Sequence, residues 1–358
     1  MRNQQSEYMH WAKTASRARL NLATSGVGAF PLSELGALPA LEINGDNSYG
    51  YAPLVQAIAA RHAVDPDCVV TAAGTSGANF LAFAALLDAG DEVVIEQPAY
   101  GLLLDALRCL GADIRRFVRS HDAGYAVDPE AVRRAVTPRT RLIVLTNLHN
   151  PSSVLTAEDV LREVGEIARS VGARVLVDEV YLDAVYENTP RTSFHLGPQF
   201  VVTSSLTKVY GVSGVRCGWI LAEPDLARAM WRLNDCMAAT SVYPGELLSV
   251  AIFNQLDKVR ERFRRIVQAD RLVLNAFLDR AALDGNHKVH AVRTPWGTTS
   301  FMRLANGDAD GLLARLRADW ETSAVPGRFF EIPGCFRVGM GVNSEMFAEG
   351  LSRLERAL

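Results

Sequence analysis

The sequence predicts an α/β protein in which a large, mostly parallel seven-stranded sheet is joined by a smaller α+β domain. Between about residues 69 and 222, short runs rich in Val, Ile and Leu alternate with segments of helical periodicity. The runs are continuously apolar, which is typical of parallel strands that are buried on both faces. After Pro224 the alternation stops, and longer helices with shorter strands indicate a second unit.

The strands predicted for the large sheet cover residues 69–73, 91–96, 113–118, 141–146, 174–178, 200–203 and 215–221. The predicted helices before and between them cover residues 54–62, 78–87, 101–110, 129–136 and 157–171. The first of these helices is entered through Pro53, which is favoured at the start of a helix.

Outside the large sheet, residues 4–19 are polar and helix-compatible, with Tyr8 and Trp11 at helical spacing, and we expect this arm to pack on another part of the chain. The C-terminal part predicts helices at 226–236, 246–283, 308–319 and 344–358 and strands at 287–293, 299–304 and 335–339. We therefore divide the chain into an arm with a small-domain segment (1–40), a large α/β domain (41–240) and a C-terminal small domain (241–358).

Composition excludes several classes of function. The net charge of −3 and the pI near 6.2 give no electrostatic reason to expect a nucleic-acid partner. No apolar run has membrane-spanning length, and the N-terminus is too polar for a signal peptide. The five cysteines include no CxxC pair, so we expect no metal site and no disulfide framework, and reduced thiols in the cytoplasm fit best.

The stretch most informative about function is residues 203–219, TSSLTKVYGVSGVRCGW, with Lys208 at its centre. An apolar run leads into hydroxyl residues, then the lone lysine, then a glycine-punctuated loop that carries Arg216. Burial at a strand end lowers the pKa of a lysine, which makes its amine a nucleophile and a Schiff-base former. Alone, Lys208 would more readily be an exposed lysine in a turn.

Four further signals lie at the ends of other predicted strands. Residues 74–78 (GTSGA) form a turn whose amides, with the following helix dipole, suit a phosphate. Tyr100 can stack on a flat ring, and Asn150 can hydrogen-bond a ring oxygen. Asp178 ends a buried strand, where a carboxylate needs a cationic partner such as a protonated pyridine. Each has an ordinary structural reading, but ligands of such sheets bind beyond the carboxyl ends of the strands.

In this order along successive strand ends, these features resemble the fold-type-I pyridoxal-phosphate enzymes, specifically the class I/II aminotransferase family. The resemblance covers about residues 20 to 340 and is most specific around Lys208. It implies that Lys208 binds pyridoxal 5'-phosphate as a Schiff base and moves a proton, while Asp178 pairs with the pyridine nitrogen. Tyr181 and Asn150 would hydrogen-bond the phenolic oxygen, and Tyr100 would stack on the ring.

The resemblance also assigns the phosphate and the substrate carboxylate. The residues implied around the phosphate are Thr75, Ser76, Gly77, Ser205 and Arg216, with Tyr49 reaching the phosphate of a neighbouring subunit. Tyr51 and Tyr243 are alternatives to Tyr49, since residues 47–53 are shorter than is common in the family. Arg337 would bind the substrate carboxylate in a bidentate manner, with Gly26 and Asn150 beside it.

Two departures from the family pattern affect the site. The usual Asn-Pro-Thr-Gly is replaced by Asn150-Pro-Ser-Ser153, so the turn lacks its glycine. Thr298 and Thr299 stand where the family often has an aromatic residue, which indicates a different side-chain pocket.

The implied activity is transfer of an amino group between an L-amino acid and a 2-oxo acid by a homodimer with shared active sites. A lyase, a decarboxylase or a specialised amino-acid-modifying enzyme of the same fold is the main alternative, because fold does not determine the reaction. A non-catalytic binding module ranks lower, since retention of Lys208 favours catalysis and no DNA-binding extension is evident.

Overall fold

The N-terminal part of the chain contains few regular elements. The computed structural model describes residues 5–36, 38, 40–283, 288–305 and 307–358. Its first elements are helix α1 (Glu7–Thr14), strand β1 (Leu20–Asn21) and helix α2 (Ala52–His62). Of the described part of the helix-compatible stretch 4–19, only Glu7–Thr14 is helical, because the Ser6 hydroxyl caps the start by accepting from the Met9 amide and Ala15 is the C-cap.

The large sheet has seven strands, as predicted. They are β2 (Val69–Ala73), β3 (Glu92–Gln97), β4 (Asp113–Val118), β5 (Thr140–Thr146), β6 (Arg174–Asp178), β7 (Phe200–Ser205) and β8 (Cys217–Leu221). The spatial order is β2-β8-β7-β6-β5-β3-β4, and only β8 runs antiparallel to its neighbours β2 and β7. The prediction of a mostly parallel sheet is thus confirmed.

Helices cover both faces of this sheet and explain its apolar strands. The connecting helices are α3 (Gly74–Leu86), α4 (Gly101–Leu110), α5 (Pro129–Ala135) and α6 (Glu158–Ser170). Adjacent strand residues point into different apolar clusters: Val93 contributes to one face and Val94 to the other. Each fully buried side chain of this kind contributes about 1.5–3 kcal/mol, so the strand ends are held by a packed core.

The remaining elements comprise two helices that pack beside the large sheet, α7 (Pro224–Asn234) and α8 (Tyr243–Phe253), and the helices and strands of a smaller unit. The latter are helices α9 (Leu256–Leu283), α10 (Ala309–Trp320) and α11 (Ser344–Ala357), and strands β9 (Val289–Ala291), β10 (Thr299–Leu304), β11 (Thr322–Ser323), β12 (Val325–Pro326) and β13 (Cys335–Gly339). Four of the strands form an antiparallel sheet in the order β12-β13-β10-β9. Strand β1 pairs with β11, which attaches the N-terminal part to this region.

The single helix predicted over residues 246–283 is wrong. The chain breaks between α8 and α9, where the Gln255 amide donates to the Ile252 carbonyl at 2.9 Å in an i−3 bond. An i−3 bond tightens the last turn and is typical of a helix end. The Gln255 side chain donates to the Leu35 carbonyl.

Among the helices of the described residues, none is both long enough and apolar enough to cross a membrane.

Candidate active site

A cavity of about 350 Å³ lies at the carboxyl ends of the parallel strands. The predicted site residues that line it are Gly26, Thr75, Ser76, Tyr100, Asn150, Asp178, Tyr181, Lys208 and Arg216. These residues come from separate strand ends and loops spread over 190 positions of sequence, so the sheet brings together most of what the sequence singled out.

Lys208 follows β7 and reaches across the cavity. Its Nζ donates to the Ser25 hydroxyl at 2.8 Å. Burial lowers the pKa of Lys208 below its ordinary value, although Tyr8 and Asp178 act in the opposite direction. Gly26 allows the close approach of this segment, because a Cβ at residue 26 would lie only 2.8 Å from the Lys208 carbonyl oxygen. The lysine is thus held as a partly desolvated amine inside the cavity.

Asp178 is the last residue of β6 and is buried. Its Oδ2 accepts from the Asn79 side-chain amide at 2.8 Å, and its Oδ1 accepts from the Val180 amide at 3.1 Å. Burial raises the pKa of Asp178 to about 6, and the two hydrogen bonds oppose that rise. Asn79 is itself fixed, because the Thr203 hydroxyl donates to its Oδ1 at 2.5 Å. A cation placed beside this carboxylate would favour its ionised form.

Helix α3 presents its N-terminus to the cavity. It begins at Gly74 and not at residue 78, so Thr75 and Ser76 lie in its first turn, where backbone N–H groups have no partner within the helix. The Thr75 hydroxyl donates to the Ser205 hydroxyl at 2.6 Å, and Ser205 is buried behind the cavity wall. Gly77 is one residue further along and is not among the lining residues. This first turn is suited to an anion.

Arg216 supplies the cation at the same end of the cavity. It lies in the left-handed backbone region at φ 53°, which explains why β8 begins at Cys217 and not at residue 215. Its Nη2 donates to the Ala73 carbonyl at 3.0 Å. A side chain at Gly74 would overlap the guanidinium, so glycine there permits the contact. Arg216 and the first turn of α3 together place a cation and free backbone N–H groups at one end of the cavity, an arrangement that suits an anion such as a phosphate.

Arg337 lies in β13 and is completely buried. Its Nη1 donates to Asn150 Oδ1 at 2.8 Å, and its Nη2 donates to the Tyr8 hydroxyl at 3.2 Å. Its guanidinium carbon, Cζ, lies 4.9 Å from the centre of the Phe330 ring. The Nε has no hydrogen-bond partner among the described residues. A buried unsatisfied guanidinium donor costs free energy, which a carboxylate bound there would recover.

Two tyrosines, Tyr181 and Tyr100, also line the cavity. The Tyr181 hydroxyl is buried and makes no hydrogen bond of good geometry in the part of the chain that the structure describes; burial raises its pKa, and the nearby Ser25 hydroxyl opposes that rise. Tyr100 contacts Tyr8 edge to face, with ring centres 5.5 Å apart, while its own ring borders the cavity.

Tyr49 does not line the cavity of its own chain. Its side chain is half exposed, and its hydroxyl accepts from Arg232 at 2.6 Å. The role expected for it, contact with a neighbouring subunit, stays a prediction.

Several residues in or next to the cavity were not singled out from the sequence, among them Tyr8, Ser25 and Asn79. Burial acts to raise the pKa of the Tyr8 phenol, but the charges of Arg337 and Lys208 lower it overall. The polar Asn79 inside an otherwise apolar helix and the aromatic Tyr8 in a polar arm were the available signals. Ser25 gave none, since it lies in an ordinary loop.

The donor set fits pyridoxal 5'-phosphate. The unpaired Tyr181 hydroxyl suits a phenolic oxygen, and the buried Asp178 carboxylate suits a pyridinium. The first turn of α3 with Arg216 suits the phosphate, and the Lys208 amine suits the aldehyde.

Comparison with known proteins identifies the family of the chain. The sequence model of the family described as aminotransferase class I and II matches residues 37–354. The chain is 30% identical to capreomycidine synthase of Streptomyces vinaceus, over 96% of this chain and 90% of that protein. It is 26% identical to aspartate aminotransferase of Streptomyces avermitilis, over 86% and 80% of the two chains. The crystal structure of a pyridoxal-phosphate-dependent aminotransferase from Streptococcus suis shares the fold, with a TM-score of 0.92 at 24% identity over 100% of this chain and 98% of that one.

The matched segment includes every lining residue that follows position 36, together with Arg337. The chain therefore belongs to the class I and II aminotransferase family, whose members have the type I fold and use pyridoxal 5'-phosphate.

Proposed function

We propose that this protein transfers an amino group between an L-amino acid and a 2-oxo acid. The observation that carries the proposal is that Arg337, a buried arginine with a free donor, hydrogen-bonds Asn150, which lines the same cavity as the desolvated amine of Lys208. One group suits an α-carboxylate and the other an α-proton. An amino acid is the substrate that presents both.

The proposed binding roles follow from position. Arg337 and Asn150 hold the α-carboxylate, with Gly26 closing over it, and this fixes the orientation of the Cα–H bond. The proposed phosphate-binding residues are Thr75, Ser76, Gly77, Ser205 and Arg216.

The proposed chemical roles belong to groups around the ring. The cofactor supplies an electron-withdrawing pyridine ring when bound. Asp178 keeps the pyridine nitrogen protonated, Tyr181 and Asn150 hydrogen-bond the phenolic oxygen, and Tyr100 stacks on the ring. Lys208 would take the proton from Cα of the substrate as a general base and then deliver it to C4′ of the cofactor as a general acid.

The reaction is tested by adding L-amino acids one at a time to the cofactor-loaded enzyme and following absorption together with mass spectrometry of the products. Conversion of the cofactor to its amine form with release of a matching 2-oxo acid is the expected result. Release of ammonia, carbon dioxide or a rearranged amino acid with the cofactor unchanged would contradict transamination.

A lyase or another amino-acid-modifying enzyme is the second candidate. It is favoured by the similarity to capreomycidine synthase, a synthase by name, which at 30% identity covers more of this chain than the aspartate aminotransferase does. The contradictory products named above are those this candidate predicts.

We also propose a homodimer. Two segments that contact each other, residues 41–51 and 235–243, expose apolar side chains: Ile43 is 80% and Val242 is 76% exposed. Asn47 donates to the Ser241 carbonyl at 2.9 Å and so joins the segments into one surface. Tyr49 lies on this surface, as a residue that reaches a neighbouring phosphate must. A patch of this kind on an isolated chain indicates an interface.

Replacing Ile43 and Val242 both by Glu is expected to produce monomers, because like charges would then be buried without partners at the interface. Analytical ultracentrifugation measures the mass of the species in solution. Leu272→Glu is the control, since Leu272 is equally exposed, at 73%, but lies on α9 outside the patch. A double variant that stays dimeric would contradict this placement of the interface.

A further inference from the structure

Ser153 has a backbone conformation that a serine does not favour. It is the last residue of the turn 150–153, called here the Asn150 loop, and it stands where the family pattern has glycine. Its φ of 62° lies in the left-handed region that glycine adopts at no steric cost. The side chain is buried. Contacts made by the hydroxyl must therefore offset the conformational cost of placing serine at this position.

The hydroxyl of Ser153 contacts the other sheet. Its Oγ lies 2.8 Å from the Thr299 carbonyl oxygen, to which it donates, and 2.9 Å from Thr299 Oγ1. In return the Thr299 amide donates to Ser153 Oγ at 3.3 Å. The Thr299 hydroxyl also lies 3.0 Å from the Pro151 carbonyl oxygen, for which it is the donor. We call this set of hydrogen bonds the Ser153–Thr299 clasp.

Gly297 permits the two segments to approach. It adopts φ 88°, and a Cβ at this position would lie only 2.4 Å from the Ser153 side chain. The clasp therefore depends on glycine at residue 297, in the segment that contacts Ser153. The two departures in the sequence, Ser153 in place of glycine and Thr299 in place of an aromatic residue, meet in one contact.

The clasp is the second of two connections between the Asn150 loop and the small sheet. Thr299 is the first residue of β10, which pairs with β13 so that Phe301 lies opposite Arg337. Arg337 donates to Asn150 at 2.8 Å, and Asn150 lies three residues before Ser153. The Asn150 loop is thus attached to the small sheet twice, once through Arg337 and once through the clasp.

The neighbouring residue makes a second attachment. Thr298 is buried, and its hydroxyl donates to the Ser25 carbonyl at 2.8 Å, while the Ser25 hydroxyl accepts from Lys208. Consecutive threonines therefore hold the two loops that flank the cavity, the Asn150 loop and the Ser25 loop.

We propose that Ser153 and Thr299 are positioning residues which fix Asn150 and Arg337 in their carboxylate-binding arrangement before substrate arrives. This proposal rests on the proposed function in one respect, namely that the group which Arg337 binds is the carboxylate of an amino acid. With the clasp intact, little ordering is left for the substrate to induce, so more of the binding free energy is retained. Without it, the amino acid must itself bring Asn150 and Arg337 together.

Four single variants separate the hydroxyl from the backbone. Ser153→Ala removes the hydroxyl and leaves a residue strained at positive φ, whereas Ser153→Gly removes the hydroxyl and relieves the strain. Thr299→Val removes the other hydroxyl with little change of shape. Thr299→Ser retains a hydroxyl and serves as the rescue.

The first readout is amide hydrogen exchange of the cofactor-loaded enzyme without substrate. The Thr299 amide donates directly to Ser153 Oγ. We therefore expect its hydrogen-exchange rate to rise at least about tenfold in both Ser153→Ala and Ser153→Gly. Strand β6 should be unchanged in every variant. Equal exchange of the Thr299 amide in wild type and Ser153→Gly would overturn the proposal.

The second readout is the split between KM and kcat. In Ser153→Gly and Thr299→Val we expect KM for the amino acid to rise by about 5- to 10-fold, with kcat and the cofactor dissociation constant within about twofold of wild type. Thr299→Ser should lie within about twofold of wild type in all three. An unchanged KM, or Thr299→Ser behaving as Thr299→Val, would overturn the positioning role. If no amino acid is converted, the proposed function fails, while the exchange result still decides whether the clasp exists.

Discussion

Replacing Lys208 by alanine is expected to reduce turnover by at least about 10³-fold while the protein stays folded. Positioned proton transfer alone contributes about 10²- to 10⁴-fold, and the variant also loses the amine that attaches the cofactor. Folding should be little affected, because burial disfavours the charged amine and its loss removes that cost. Steady-state kinetics and thermal unfolding of the same preparation check both expectations.

Lys13→Ala is the matched control for the Lys208 variant. Lys13 is exposed on α1, so its loss should leave turnover within about twofold of wild type. A Lys208→Ala enzyme that keeps more than a tenth of wild-type turnover would contradict the role assigned to this residue.

Replacing Asp178 by asparagine is expected to lower kcat by at least about 10²-fold and to stabilise the cofactor-free protein at pH 7. Activity falls because an amide cannot hold the pyridine nitrogen in its protonated form. Stability rises because a buried carboxylate without a cation is costly, whereas an amide is uncharged. Its oxygen accepts from the Val180 amide, and its NH2 group donates to Asn79 once the Asn79 side-chain amide turns over, with the Thr203 hydroxyl then accepting from Asn79.

Asp178 makes the free energy of unfolding depend on pH in a predictable direction. The folded-state pKa of Asp178 is about 6, whereas an aspartate of the unfolded chain titrates near about 3.9. Between these values the folded state binds more protons, so the free energy of unfolding falls as pH rises from about 4 to 6. The fall from this group amounts to about 2 to 3 kcal/mol and should be absent in Asp178→Asn. Urea titration of the cofactor-free protein at several pH values measures it.

Glu179→Gln separates stability from catalysis. Burial raises the pKa of Glu179 to about 7, so this variant should also reduce the loss of stability with rising pH. Its Oε1 accepts from the Ser193 amide and hydroxyl, and the residue does not line the cavity, so activity should be largely retained. The account would be wrong if Asp178→Asn kept wild-type activity or showed the wild-type dependence of stability on pH.

Residues at strand ends could be predicted because one rule places them together. A sheet of parallel strands brings their carboxyl ends to one edge, so Tyr100, Asn150, Asp178 and Lys208 were grouped without knowledge of the loops. Arg337 comes from the other sheet, and only the family resemblance pointed to it.

Residues that reach the site by tertiary packing could not be predicted. Tyr8 arrives because α1 folds back onto Phe329 and Phe330, and Ser25 because its loop is attached to Thr298. The aromatic Tyr8 in a polar arm indicates packing but does not identify its partner, and Ser25 carries no local signal. The same limit explains the helix break at Gln255, since a helical pattern continues on both sides of it.

The attachment of the cofactor to Lys208 is the central claim, and reduction with borohydride tests it most directly. The enzyme is loaded with pyridoxal 5'-phosphate, reduced, digested and mapped by mass spectrometry. The chain has four lysines, Lys13, Lys208, Lys258 and Lys288, so each can be distinguished. We predict a phosphopyridoxyl group on Lys208; modification mainly at another lysine, or none, would contradict the account.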